Sequence, residues 1–291
     1  GGVVFASYDL FYSILSNIED FRREELLYLI ENTEYLIVDE AHAAVAETYQ
    51  ACVLAFISND FTKVVGLSAT PLREEPEEAL ELRRLFSNNL ISVRDDSNNV
   101  VNDPIRYLQS GLYLSKLKVE TLDTGFAFSG NSENTVLKAL SEDSPRNKLI
   151  LKQIEYANSI QDKTLVFACT KDHVLALYIM CISVGLKVKY IIGETPQSER
   201  PKILSEFNDG DTNVLINLDI LSTGIDLPNV NRLIITRPVR SSIQYSQIVG
   251  RALRGPKNGG NQYNTIINIL DNIEYFSGMS LLYDKFRNDW E

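Results

Sequence analysis

The chain has 291 residues, 44% of them hydrophobic, and a formal net charge of −11. That length and apolar content provide for a buried core in more than one compact unit, while the short apolar runs exclude a transmembrane helix. The acidic total argues against binding to nucleic acid through overall charge alone, and three isolated cysteines favour a reducing, cytoplasmic setting over a disulfide framework.

Short β-branched runs alternate with amphipathic segments along the first hundred residues. Residues 3–6 indicate a strand, and residues 24–31 indicate a helix. Residues 35–38 and 63–67 indicate two further strands. Pro76 then opens a helix with acidic residues in its first turn, in agreement with the helix dipole.

The middle of the chain is rich in turn-forming residues. Residues 88–102 and 124–134 predict loops, with a strand of undefined period near 112–119. The alternation then resumes, with predicted helices at 147–157, 171–184, 198–207 and 242–253, and predicted strands at 164–168, 187–191, 214–217, 232–236 and 265–270.

This alternation is typical of an α/β fold with parallel sheets covered on both faces. Two such series around a loop-rich middle predict two domains. We place a first, partial domain at residues 1–105, a linker and lead-in strand at 106–145, and a second domain at 146–291.

A run of acidic residues follows the predicted strand 35–38. In an α/β sheet, residues just beyond the carboxyl end of a strand face the ligand crevice. Asp39 and Glu40 there are suited to a hydrated magnesium ion and to a water molecule that needs a base. A solvated strand end capped by Asp39 is the alternative.

Ser68, Ala69, Thr70 and Pro71 follow the next strand in the same way. Hydroxyl groups there can join a hydrogen-bond network, and the proline stops the strand. Alone, this run is a weak signal. Its value lies in its position one step after the acidic residues.

The second half carries two further runs. In residues 222–226, Gly224 would allow close backbone approach to a phosphate, and Asp226 offers a carboxylate to a ribose hydroxyl or an arginine. On the predicted helix 242–253, Gln247, Arg251 and Arg254 fall on one face, which suits a triphosphate.

Two other features of this half bear on whether these residues bind phosphate or form a solvated surface. A mid-helix glycine, Gly250, indicates close packing of another group. Between Asp226 and Asp271 there is no acidic residue, although six basic residues lie there. Such a local excess can face phosphates even in an acidic protein; a solvated basic stripe is the alternative.

Taken together, these segments resemble the motifs of superfamily 2 DEAD/DEAH-box helicases, in the family's order. Six motifs have counterparts: motif Ib in residues 4–15, II in 39–42, III in 68–70, IV in 165–170, V in 222–226 and VI in 247–254. The strings GLSATP, RPVRS, QIVGRALRGPKNGG and NILDN are similar to the bacterial group of type III restriction helicase subunits and repair translocases.

The resemblance implies two RecA-like parallel-sheet domains, the first incomplete at its N-terminus. It implies an ATP- and Mg²⁺-dependent helicase or translocase acting on nucleic acid, DNA in preference to RNA, with restriction or repair subunits as partners. By the same resemblance Asp39 and Glu40 are the magnesium and catalytic pair, Arg251 and Arg254 are arginine fingers, and His42 and Gln247 lie beside the nucleotide. The nucleic-acid contacts it implies are Ser68, Thr70, Thr170, Arg200 and Thr223, with Gly224 touching the backbone.

One departure from the family pattern is clear. The run Gly-x-x-x-x-Gly-Lys-Thr/Ser, whose amides and lysine cradle the β- and γ-phosphates, is absent from these 291 residues. We therefore expect a chain truncated on its N-terminal side that binds ATP poorly by itself. A non-catalytic nucleic-acid-binding or scaffold module on the same fold is the alternative. A kinase or dehydrogenase would need its own glycine-rich fingerprint, which the sequence lacks.

Overall fold

The computed structural model describes residues 2–59, 61–68, 76–218, 227, 229–239, 241–278 and 283–284. The chain divides into two compact units, Gly1–Arg94 and Asp95–Glu291. This division differs from the predicted boundary at residue 105 and linker 106–145, because the latter segment contributes a strand and two helices to the second unit. Among the described helices, none is long and apolar enough to cross a membrane.

The first unit packs helices around a small parallel sheet. Its elements are α1 Tyr8–Ser16, α2 Arg23–Glu31, β1 Tyr35–Val38, a 3-10 helix Ala41–Val45, α3 Glu47–Ile57, β2 Lys63–Gly66 and α4 Pro76–Leu85. Strands β1 and β2 pair in parallel, with Val38 opposite Gly66. The strand predicted at residues 3–6 is wrong: no described strand pairs with it, and Phe5 is 93% exposed.

The second unit is an α/β domain built on a six-stranded parallel sheet. Its elements are α5 Pro104–Ser110, β3 Lys116–Phe128, α6 Glu133–Glu142, α7 Ser144–Ser159, β4 Thr164–Phe167, α8 Lys171–Ser183, β5 Val188–Ile191, α9 Arg200–Asp209, β6 Val214–Asn217, β7 Arg232–Ile235, α10 Ser242–Gly250 and β8 Tyr263–Ile273. The strand order is β3-β8-β7-β4-β6-β5. The central strands β4, β6 and β7 are buried along their whole length, as expected when helices cover both faces.

The strand order locates the ligand crevice of this unit. The chain leaves β4 towards the β5 edge and leaves β7 towards β8, although β4 and β7 are neighbours. In open α/β sheets, ligands bind outside the carboxyl ends of the two strands where the winding reverses. The crevice of the second unit is therefore at the ends of β4 and β7.

Strand β3 is longer than predicted and takes in the start of the predicted loop 124–134. Gly125 has φ +69°, and the pairing with β8 shifts register between Asp123 and Ala127. The glycine thus marks a β-bulge, where β3 advances four residues against two of β8 and bends, and not the end of the strand.

Candidate functional site

Backbone hydrogen bonds hold the acidic residues at the carboxyl end of β1. Leu67 N–H donates to the Val38 carbonyl at 2.8 Å, and Ala41 N–H donates to the Leu67 carbonyl at 2.8 Å. Asp39 is exposed, and its Oδ1 accepts from the Glu40 N–H at 2.9 Å. The segment after β2 therefore fixes where the two carboxylates leave the sheet.

The backbone of Glu40 is in the left-handed region, with φ 49° and ψ 46°. A non-glycine residue pays for that conformation, and such residues cluster at functional sites. The side chain is 46% exposed, and its Oε2 is 3.3 Å from Nδ1 of His42. The turn thus keeps the Glu40 carboxylate at the surface beside the histidine.

His42 joins the two polar runs of the first unit. It is 7% exposed, and its Nδ1 is 3.1 Å from Oγ of Ser68. The structure thus brings Glu40, His42 and Ser68 together. Thr70 lies outside the described residues.

The oxygen groups at this position suit magnesium. Mg²⁺ takes one or two carboxylates and completes its octahedron with water and phosphate oxygens. Asp39 is exposed and uses Oδ1 in a backbone hydrogen bond. The described residues contain no cluster of three His, Cys, Asp or Glu side chains, which a closed protein-only metal site would need. Asp39 and Glu40 supply the one or two carboxylates that Mg²⁺ takes where water and phosphate oxygens complete its shell.

Thr170 begins α8 at the crevice of the second unit. Its Oγ1 accepts from the His173 N–H at 3.1 Å and lies 2.9 Å from Ser141 Oγ. His173 is fully buried: its Nδ1 accepts from the Cys169 N–H, and its Nε2 is 2.9 Å from Oδ1 of Asn147. Burial, and then the charge of Arg146, lower the pKa of His173 to about 3, so it is a neutral structural residue.

A buried ion pair crosses the same end of the sheet. Nε of Arg146 is 3.0 Å from Asp271 Oδ1, and the two side chains are 0% and 1% exposed. Arg146 also donates to the carbonyls of Leu140 and Thr236. The pair connects the start of α7 with the ends of β7 and β8. Sequence reasoning missed it, because nothing local signals a partner 125 residues away.

The motif VI helix is shorter than predicted. Helix α10 ends at Gly250, with Arg251 at its C-cap and Arg251 Nε 3.4 Å from the Gln247 carbonyl. Arg254 lies beyond the helix, so the prediction that it shares a helical face with Gln247 is wrong. The close packing inferred from Gly250 is also wrong among the described residues, because a Cβ there would meet no atom within 4 Å.

A different set of contacts fixes Arg254. Ser115 is fully buried, its N–H donates to the Leu253 carbonyl at 3.0 Å, and its Oγ is 2.5 Å from the Arg254 carbonyl. Asn264 Nδ2 donates to the Ala252 carbonyl at 2.6 Å. We call Ser115 and Asn264, with Gly260 packed on the Arg254 carbonyl, the arginine clamp. It orients the backbone of motif VI after its helix has ended.

Of the remaining residues predicted to contact nucleotide or nucleic acid, the structure describes Arg200. Arg200 donates from Nε to the Thr195 carbonyl at 3.1 Å and from Nη2 to the Gly193 carbonyl at 3.0 Å. Its guanidinium therefore holds the loop after β5. Thr223, Gly224 and Asp226 lie outside the described residues.

Comparison with known proteins agrees with this architecture. The family described as the type III restriction enzyme res subunit matches residues 1–73, and the helicase conserved C-terminal domain matches residues 146–256. The protein IRC3 of Saccharomyces cerevisiae, named as an ATP-dependent helicase, is 28% identical over 252 residues, 83% of this chain and 35% of its own length. The chain spans about a third to a half of the length of IRC3 and of two viral relatives, a putative helicase of a Sulfolobus islandicus filamentous virus and a 51.5 kDa protein of a Lactococcus phage.

Two solved structures share the fold. A fragment of an HsdR-type subunit of a type I restriction enzyme from Vibrio vulnificus has a TM-score of 0.61 and 20% identity, covering 92% of this chain and 48% of that one. Dbp5 of S. cerevisiae, bound to RNA and ADP BeF3, has a TM-score of 0.55 and 19% identity, covering 94% and 61%. With its res-subunit domain, its helicase C-terminal domain and their RecA-like sheets, the chain belongs to the superfamily 2 helicases.

Proposed function

We propose that this chain forms the motor of an ATP-dependent nucleic-acid translocase or helicase, which hydrolyses ATP between its two RecA-like domains. The observation that carries the proposal is the contact between motifs II and III. His42, beside the Glu40 carboxylate, reaches Ser68 at 3.1 Å. A solvated strand end would not require a buried histidine joining two motif segments.

The proposed roles follow from the chemistry of phosphoryl transfer, which depends on positioning and charge stabilisation. Glu40 orients the attacking water and accepts its proton. Asp39 holds magnesium, which when bound neutralises charge on the β- and γ-phosphates. Arg251 and Arg254 stabilise the charge that develops on the transferred group, with His42 and Gln247 beside the nucleotide.

Nucleic acid is the proposed track, and DNA is favoured over RNA. Support comes from the res-subunit family match and from the HsdR-type fold relative. Both are restriction-enzyme components, so we also propose restriction or repair subunits as partners. Thr170, which caps α8 at the crevice of the second unit, is proposed as a contact to the strand, together with Thr223 and Gly224.

A second candidate is a non-catalytic binding module on the same fold. The absence of a Gly-x-x-x-x-Gly-Lys-Thr/Ser run favours it, and it leads to the expectation that these 291 residues alone hydrolyse ATP slowly. The two candidates differ in what a phosphate-binding loop restores.

The test is ATP hydrolysis by a protein in which a segment bearing that loop precedes residue 1, with duplex DNA, single-stranded DNA and RNA compared as stimulants. Motor function predicts stimulated turnover that Glu40→Gln abolishes and that Arg251→Ala lowers on the order of 10³-fold. Lys138→Ala, on an exposed face of α6, is the control and should turn over normally. Normal turnover in the Glu40 and Arg251 variants would contradict the assignment.

A further inference from the structure

The amino ends of the strands in the second unit open into a cavity of about 610 Å³. It lies among the starts of β3 and β8, helix α5 and the loops before β4 and β7. The residues used below are Arg106, Lys116, Lys118, Asp162, Tyr263 and Asn264, all of which line it. None of them belongs to a helicase motif segment, although Asn264 is also part of the arginine clamp. The proposed function does not use the cavity itself.

Three exposed tyrosines in this region each carry a cation over the ring. Lys116 lies 6.0 Å from the ring centre of Tyr263, which is 63% exposed. The two other pairs are Lys257 over Tyr113 at 4.3 Å and Arg232 over Tyr156 at 5.5 Å. A lysine beside an exposed aromatic face is the combination by which single-stranded nucleic acid is bound, the ring stacking on a base and the cation meeting a phosphate. Arg232 is only 6% exposed, so at Tyr156 the ring is the part of the pair that a strand would meet.

The two other pairs adjoin the cavity wall through neighbouring residues. Tyr113 lies three residues before Lys116, the first residue of β3. Arg232, the first residue of β7, pairs with Asp162 at 2.9 Å in the cavity wall. A row of such pairs suits an extended polymer better than one small anion.

The charges at this surface favour a phosphate backbone. Arg106, Lys116 and Lys118 are exposed cations in the wall, and the acid in the same wall, Asp162, is engaged by Arg232. Arg106 and Lys118 have ion pairs to Asp103 and Glu120. These pairs are solvent-exposed, so they contribute little and a phosphate can displace them.

The cavity wall also holds an unsatisfied acceptor. Asn264 is 4% exposed and donates from Nδ2 to the Ala252 carbonyl, which fixes its amide orientation. Its Oδ1 has no hydrogen-bond partner among the described residues. A buried acceptor without a donor is uncommon in folded proteins.

We propose that this surface is a second binding site for single-stranded nucleic acid. One base stacks on Tyr263 in the cavity, flanking phosphates meet Arg106, Lys116 and Lys118, and the strand continues past the other two tyrosine–cation pairs. The site would hold a strand without ATP and without the motif residues, so it would keep the protein on its track between motor strokes.

The test is fluorescence anisotropy of a labelled dT15 or rU15 with the 291-residue chain, without nucleotide and over a range of salt. Arg106→Ala/Lys116→Ala/Lys118→Ala should weaken binding at least tenfold and reduce the slope of log K against log salt by about 2, since each phosphate contact contributes about 0.7 for single strands. Tyr263→Ala should weaken binding about tenfold, and Tyr263→Phe, which keeps the stacking face, should restore it.

The matched control removes three exposed lysines from α6 and α7, Lys138, Lys148 and Lys152. Circular dichroism melting curves check that all variants fold. An equal loss of affinity in the control would mean a nonspecific charge effect and would overturn the proposal. So would unchanged affinity in the cavity variants, or affinity for dTMP equal to that for dT15, which would mark a small-anion site. These outcomes need no ATP hydrolysis, so they are independent of the motor assignment.

Discussion

Replacing Asp271 with asparagine should cost the second unit about 3–5 kcal/mol of unfolding free energy, the range for removing one partner of a buried ion pair. The structure gives the reason. Arg146 Nε lies 3.0 Å and 3.1 Å from the two carboxylate oxygens, and its Nη2 lies 3.0 Å from Oδ2. Thr124 Oγ1 donates to the same carboxylate at 2.5 Å. The Asp271→Asn variant keeps the shape and leaves a guanidinium buried without its countercharge.

The measurement is urea unfolding followed by circular dichroism, with the second-unit transition fitted separately, because two units need not unfold together. Arg146→Met/Asp271→Leu removes both charges and should cost less than the single change, although the Leu140 and Thr236 carbonyls lose their donor. A loss below about 1 kcal/mol for Asp271→Asn, or a double variant less stable than the single one, would refute the reasoning.

Three further predictions concern single residues. Gly260→Ala places a Cβ against the Arg254 carbonyl, so it should destabilise the second unit by about 1–3 kcal/mol and slow the complete motor. The control is Gly259→Ala, whose Cβ touches no other atom and whose only cost is a positive φ; equal melting temperatures for the two variants would contradict the prediction. Glu40→Gly should remove turnover yet raise the unfolding free energy of the first unit by roughly 0.5–1 kcal/mol, since glycine adopts the left-handed backbone freely; a less stable variant would show that the conformation is not strained. The pKa of His173 is about 3 in the fold and near 6.5 in the unfolded chain, so between these values only the unfolded chain binds the proton. The free energy of unfolding therefore decreases as the pH is lowered from about 6.5 towards 3. His173→Gln should reduce this slope by about 1 kcal/mol per pH unit, and identical pH profiles for the two proteins would contradict the prediction.

The strands of the central sheet could be predicted because burial leaves a local record. Strand β6 has the predicted bounds, since a buried parallel strand is a short β-branched run between turn residues. Helix α6 was not predicted. The small polar residues read as a loop include Ser132, which instead caps α6 by accepting from the Thr135 N–H at 3.3 Å. The same residue types serve turns and helix N-caps, so composition alone could not separate them.

In the candidate site, too, some features could be predicted from the sequence and others could not. That the acidic run after β1 and the hydroxyl run after β2 follow successive strands could be seen in the sequence, and the structure joins them through His42 and Ser68, since the carboxyl ends of parallel strands meet at one edge. The path of Arg254 could not. A helical period predicts a continuous face only while the helix lasts, and α10 ends at Gly250. The carbonyl of Arg254 is instead held by Ser115, a hydrogen-bond partner 139 residues away in sequence.

Strand β3 connects two parts of the second unit, because hydroxyl groups at or near each of its ends hold other segments. Just before it, Ser115 holds the carbonyl of Arg254, and near its far end Thr124 donates to Asp271. The residue pairing with β8 runs along most of its length. Tension applied to the chain that enters β3 would therefore reach the Arg254 backbone through the Ser115 hydroxyl and the crevice through the Thr124 hydroxyl.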